Sequence, residues 1–178
     1  IEQNTSAWKK YDYYSAINAL HQFFWRDYCD YYLEDVKHRV YGSDEESKRA
    51  AQYTLRVVLR GSLKLLAPFA PFTTEELWRS LFDAKCSIHL SEWPTPVAKP
   101  DESTMRVVDL MHSIVSDVRR LKAEKQMALN APVPLAKLEC NEAKARDIAA
   151  VEEDLKAVTK ISVLEIKVSD VDGLLVAF

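Results

Sequence analysis

A chain of 178 residues, 48% of them hydrophobic and 10% aromatic, has room for one ordinary domain or a domain with a small appendix, and enough apolar side chains to bury a core. A net charge of −3 excludes a chain that binds polyanions over its whole surface, and 3 glycines with 7 prolines argue against a turn-rich all-β fold. Cys29, Cys86 and Cys140 form no C-x-x-C pair, which excludes a disulfide framework and a cysteine zinc site and fits a reducing, cytoplasmic setting.

No apolar run approaches the roughly 20 residues that span a bilayer, and no signal peptide is present, so no membrane partner is expected. The chain opens on Ile1 after no methionine, and is expected to be a piece of a longer polypeptide. Its charge is uneven. Residues 35–66 carry seven Lys/Arg against four acids, a net of +3, whereas residues 139–178 carry five bases against nine acids, a net of −4. The first segment suits a polyanion and the second repels one.

Ile17, Leu20, Phe24, Tyr28 and Tyr31 recur at helical spacing, which predicts a first helix over about 12–40. Within it, the run from Phe23 to Glu34 crowds aromatic rings among charges. Trp25, Tyr28 and Tyr32 share one line, with Phe24 and Tyr31 beside it. So wide an apolar arc usually means a two-sided core helix. The sharper reading is a rim of aromatics beside Arg26 that stacks on unpaired bases. Gly42-Ser43-Asp44 supplies a turn.

A second helix is expected over 45–66, with Ala51, Leu55, Val58, Ser62 and Leu65 inward and Arg49, Arg56 and Arg60 outward, a basic line of the kind that is usually a solvated face. Pro68 and Pro71 stop it. Thr73 and Glu76 then have the spacing of a capping box, with Phe72 able to staple on Leu77, which predicts a third helix over 74–82. Residues 87–93 read as extended, and Pro94 and Pro96 open a linker. A fourth helix starting near Asp101 or Ser103 carries the stripe Val107, Met111, Ile114, Val115, Val118 and Leu121. It ends in a basic turn of Arg119, Arg120, Lys122 and Lys125, where cations also favour the helix dipole.

After Asn130-Ala131-Pro132 the texture changes to a strand over 135–140, a helix or broken helix pair over 142–159, a strand over 161–168 and a third strand after Gly173. The expected architecture is mainly α: an antiparallel four-helix bundle over residues 1–130 with a small α/β subdomain over 131–178. No Gly-rich phosphate loop or nucleophile elbow is present, and His21, His38, His89 and His112 lack metal-ligand partners at helical spacing. No catalytic residue, metal ligand or cofactor site is expected in the chain itself.

Four stretches resemble a known family. Phe24-Trp25-Arg26-Asp27-Tyr28-Cys29-Asp30-Tyr31-Tyr32-Leu33-Glu34-Asp35-Val36-Lys37 resembles the first-helix motif of the anticodon-binding domain of valyl-tRNA synthetases. Leu65-Leu66-Ala67-Pro68-Phe69-Ala70-Pro71-Phe72-Thr73-Thr74-Glu75-Glu76-Leu77-Trp78 is similar to a block shared by class Ia synthetases, isoleucine and leucine enzymes included. Ser87-Ile88-His89-Leu90-Ser91-Glu92-Trp93-Pro94 is similar to the family's closing element. The run Arg119-Arg120-Leu121-Lys122-Ala123-Glu124-Lys125 with Leu129-Asn130-Ala131-Pro132 resembles the archaeal and eukaryotic-like branch.

The resemblance implies a module that grips the anticodon stem and loop of tRNA(Val). Trp25, Arg26, Lys37, Arg119, Arg120 and Lys122 are its tRNA-binding candidates. ATP with Mg would be used only in the parent valine-tRNA ligase, whose catalytic and editing domains would be partners in the same polypeptide. The alternatives are an isoleucyl- or leucyl-tRNA synthetase domain, or a helical protein-docking module without RNA contact.

Overall fold

In the computed structural model, which describes residues 1–97, 101–169 and 175–177, the chain divides into two units, Ile1–Lys99 and Pro100–Phe178. The fold is mainly α-helical with a small β appendix.

The first unit opens with α1 (Glu2–Lys9), ahead of the helix that the periodicity predicts over about 12–40. Tyr11 ends it in the left-handed region at φ 58°, its N–H bonded to the Trp8 carbonyl. Asp12 then caps α2 (Tyr13–Gln22), its carboxylate accepting the Ser15 N–H at 3.0 Å. Asn4 donates to the Ala16 carbonyl at 2.8 Å and ties the two helices together. The run continues without a break through a π-helical segment, Phe23–Tyr32, into α3 (Leu33–Val40). The helical span over about 12–40 is therefore present, with a different turn in its middle.

Gly42 closes that run, and only glycine fits: an added Cβ would stand 2.7 Å from the His38 carbonyl oxygen. Asp44 caps α4 (Glu45–Leu66) by accepting the N–H groups of Glu46 and Ser47, so the second helix has the bounds read from sequence.

Helix α5 (Pro71–Leu81) corrects the capping-box expectation. It starts at Pro71, whose fixed φ and missing N–H suit the first helical position. Thr73 lies inside the helix, and Phe72 is 89% exposed, so neither box nor staple forms. Thr74 is the buried threonine, donating back to the carbonyls of Ala70 and Pro71. Residues 87–93 are not extended either, because Ser87 caps a 3₁₀ turn at Ile88–Leu90 that buries Ile88. Glu75 fastens this turn: it accepts from Arg79 Nε at 2.6 Å, Ser87 Oγ at 2.9 Å and the Ile88 N–H at 2.9 Å. Leu63, Ala67, Trp78 and Ile88 form the core there.

In the second unit Asp101 caps α6 (Glu102–Glu124), bonding both the N–H and the hydroxyl of Thr104. The strands are β1 (Val133–Cys140), β2 (Ile161–Val168) and β3 (Leu175–Ala177), in the order β2-β1-β3. β1 and β2 are parallel, with Val133 opposite Ile161 and Leu138 opposite Ile166, so the chain must cross over between them. Helices α7 (Glu142–Ala150) and α8 (Glu152–Thr159) make that crossover. β3 pairs antiparallel with β1, which supplies the expected third strand over 175–177; Gly173 lies outside the described residues.

Met111, Ile114, Val115 and Val118 of α6 share one core with Val133, Ala136, Leu138, Cys140, Ile148, Leu155 and Ile161. The fourth helix thus buries its apolar stripe on the α/β elements. The units divide at 99/100, whereas the sequence boundary at 130/131 follows the Asn130-Ala131-Pro132 break.

Candidate nucleic-acid interface

The π-helical segment decides which aromatics face outward. Its i→i+5 bonding shows in the bond from the Leu33 N–H to the Tyr28 carbonyl. The turn is wider than 3.6 residues, so side chains three apart no longer share a face. Tyr28 points inward, its hydroxyl donating to the Leu55 carbonyl of α4 at 3.0 Å, and burial pushes its pKa up. Trp25, three residues earlier, is 57% exposed. It stands between His21 and Phe24, with ring centroids 6.3 and 6.4 Å away, and Phe23 is exposed as well. The core-helix reading thus fits Tyr28 and does not fit Trp25. An exposed indole offers a face for a base.

Arg26 is exposed beside it and is half-neutralised by Asp27, 2.8 Å from its Nε, a bond that raises the guanidinium's pKa. Lys37, on α3, is exposed and paired with Glu34 one turn back. Trp25, Arg26 and Lys37 therefore belong to one helical run of the first unit.

The other three candidates are on α6 in the second unit. Arg120 is exposed and bridges Asp117 and Glu124 at 3.3 and 2.8 Å, and Arg119 is half-buried. Lys122 does not belong with them. It is 1% exposed, and its ammonium donates to the carbonyls of Leu129, Ala131 and Thr159 at 2.9, 2.7 and 2.8 Å. All three of its protons are engaged, which leaves none for a phosphate. Burial, and then the charge of Lys160, push its pKa below the usual lysine range. The lysine fell on the apolar side of α6 among Val115, Val118 and Leu121, and that phase was the available signal that it faces inward.

A further basic feature lies on α4. Arg56 places its guanidinium carbon 4.8 Å over the Phe82 ring, and Arg60 places its own 5.3 Å over Trp78. Lys64 stands 5.7 Å over the same indole and donates to the Glu92 carbonyl at 2.9 Å. Each such cation–π contact contributes about 0.5–1 kcal/mol at an exposed site and leaves the positive charge un-neutralised. Sequence alone shows the basic line but not the rings of α5 beneath it.

Among the described residues there is no group of three or more His, Cys, Asp or Glu side chains arranged to hold a metal ion, and no helix long and apolar enough to cross a membrane. The side chains on offer are rings and cations, suited to binding.

Residues 1–138 match the family model described as the anticodon-binding domain of tRNA ligase. The chain belongs to that family. An anticodon-binding domain of this kind is similar to part of the valine–tRNA ligase of Methanothermobacter thermautotrophicus, with 37% identity over 163 residues covering 90% of this chain and 18% of that protein. It is similar to the valine–tRNA ligase of Methanosarcina barkeri, with 41% identity over 140 residues, 78% of this chain and 16% of that one. The bacterial enzyme of Cutibacterium acnes is 33% identical over 163 residues, 90% of this chain and 18% of its own. The chain spans less than a fifth of the length of these relatives. Both archaeal and bacterial valine enzymes resemble this anticodon-binding domain, so the likeness is not confined to one branch.

Proposed function

We propose that this chain recognises the anticodon stem and loop of tRNA(Val) and holds it for ATP- and Mg-dependent aminoacylation by catalytic machinery elsewhere in a parent valine–tRNA ligase. The editing domain of that parent is a further partner in the same polypeptide. The observation that carries the reading is the exposed Trp25 indole, with Phe23 and Arg26 beside it, in a chain of the anticodon-binding family. Loop bases leave the stack readily and settle on such rings, while cations meet the phosphates. Arg26, Lys37, Arg119 and Arg120 serve as phosphate contacts in this reading, and Lys122 supports the fold of the second unit. The antiparallel helical-bundle arrangement and the assignment of residues 1–130 to the binding domain belong to the same proposal.

The test is a gel shift of the 178-residue chain with tRNA(Val) and tRNA(Ile) transcripts at fixed salt. Tighter retention of tRNA(Val) is expected. Trp25→Ala is expected to weaken it by about 1–3 kcal/mol, the range for losing one base–aromatic stack, or roughly 5- to 150-fold. Equal retention of both tRNAs, unchanged by Trp25→Ala, would overturn base reading by this segment.

The rival reading, a protein-docking module, has its support in the exposed apolar side chains Phe72, Leu77 and Leu81 of α5. It requires that the chain bind no tRNA.

A further inference from the structure

Among the described residues, several exposed arginines are neutralised locally. Arg79 lies on Glu75, Arg106 on Asp147, Arg120 between Asp117 and Glu124, and Arg146 on Glu142. Arg49, Arg56 and Arg60 depart from that pattern. All three are exposed, and none has a carboxylate within 4.0 Å among the described residues. Asp83 feels the charge of Arg60, but its carboxylate is engaged by the N–H groups of Lys85 and Cys86.

Two further observations give these cations a shape. Steps of seven, four and four residues set Arg49, Arg56, Arg60 and Lys64 along one line of α4, about 22 Å long at 1.5 Å per residue. The heads of the last three are seated on Phe82 and Trp78, which fixes their positions without cancelling their charge. Trp78 is 3% exposed, so it is a seat and not a platform for a base. Gly61 lies beside Arg60, and a Cβ there would meet nothing within 4 Å, which leaves bare backbone along the line. Lys64 is crowded by burial and by Arg60, both lowering its pKa. A row of positive charges along one helix face recognises a repeating negative charge and by itself reads no bases; Tyr53, 65% exposed, stands on the same line between Arg49 and Arg56.

We propose that Arg49, Arg56, Arg60 and Lys64 form a rail along α4 that binds phosphodiesters of one RNA strand. The rail rests on the reading of this chain as an RNA-binding domain, and adds to it a sequence-independent grip on the tRNA backbone by a helix outside the Trp25 segment. Salt dependence is its signature, because each phosphate neutralised releases counterions and contributes about 0.7–0.9 to the slope of log K against log salt.

The test compares the 178-residue chain with the triple variants R49Q/R56Q/R60Q and R49K/R56K/R60K, titrated with tRNA(Val) between low and moderate salt. The glutamine triple is expected to lower the slope by roughly 2–3, three phosphates at about 0.7–0.9 each. The lysine triple is expected to keep most of the slope, since the charge remains where the stacking geometry does not. R146Q, which removes a locally paired cation, is expected to leave the slope unchanged. Should the glutamine triple fail to fold by circular dichroism, R49Q alone is expected to lower the slope by about 0.7–0.9.

A wild-type slope in a folded glutamine variant overturns the rail alone and leaves anticodon recognition standing. An equal loss in both triples also overturns it, by assigning the arginines a packing role. Failure of the wild-type chain to bind tRNA(Val) sinks the RNA reading and the rail together. Binding of polyglutamate as tight as that of tRNA assigns the row to an acidic protein instead.

Discussion

The ammonium of Lys122 donates to the carbonyl of Thr159 at 2.8 Å, so a side chain from the end of α6 closes the last turn of α8. The last carbonyls of a helix have no partner within it, and its C-terminus favours a positive charge. Lys122 meets both needs, and it also takes the carbonyls of Leu129 and Ala131. Lys122→Met keeps much of the bulk and leaves three carbonyls without their donor. A loss of roughly 2–4 kcal/mol is expected from hydrogen bonds to a buried charge, read by urea unfolding. A midpoint equal to wild type would show that water replaces the ammonium without cost.

Glu75 gives a pH-dependent prediction. Arg79 first, then Ser87 and the Ile88 N–H, hold its carboxyl down to about 2 from an ordinary 4.5. A carboxyl with a lowered folded pKa stabilises the fold fully above the unfolded value, and that contribution disappears as pH falls toward the folded value. Thermal midpoints of the native chain are therefore expected to fall as pH drops from about 4.5 toward 2. Glu75→Gln is expected to weaken that dependence and to loosen the Ser87–Ile88 turn at neutral pH. Parallel pH curves for the two proteins would remove Glu75 from the account.

Gly61 lies in the interior of a 22-residue helix, and an added Cβ would meet nothing within 4 Å. Glycine there costs roughly 0.5–1 kcal/mol relative to alanine, because the unfolded backbone has more freedom to lose. Gly61→Ala is expected to raise stability by about that amount, measured by denaturant midpoint. A decrease would mean that the site is crowded in solution.

Tyr11 is held at φ 58° with its ring 79% exposed, touching the edge of Tyr13 at 6.4 Å. Its position just past the end of α1 is one that glycine occupies without a Cβ clash. Tyr11→Gly is expected to gain roughly 0.5–1 kcal/mol, because the ring contributes little burial to offset its backbone strain. A loss of stability would show that the Tyr13 contact outweighs the strain.

Local signals in the sequence carried most of the elements. Asp44 lies in the turn and Asp101 at one of the two helix starts that the sequence marks, and both cap their helices. The alternation in 135–140 and 161–168 is strand periodicity, and both strands are present. The start of α5 went astray because two local signals competed, and Pro71 at the first helical position prevailed over the Thr73–Glu76 spacing. The π-helical turn had no such signal, since i→i+5 bonding is not written in a hydrophobic period.

The sequence by itself determined most of the helical spans, the family and a basic line on α4, because each depends on residue type and near-neighbour spacing. Tertiary structure alone decided which side chains face water. The widened turn exposes Trp25 while Tyr28 goes inside, and the convergence of three carbonyls from 129, 131 and 159 encloses Lys122. The rings of Phe82 and Trp78 meet Arg56 and Arg60 only because α5 folds back beside α4. Periodicity places a residue on a face of its own helix, but burial depends on what that face meets, and partners such as Phe82 for Arg56 and Thr159 for Lys122 lie 26 and 37 residues away along the chain.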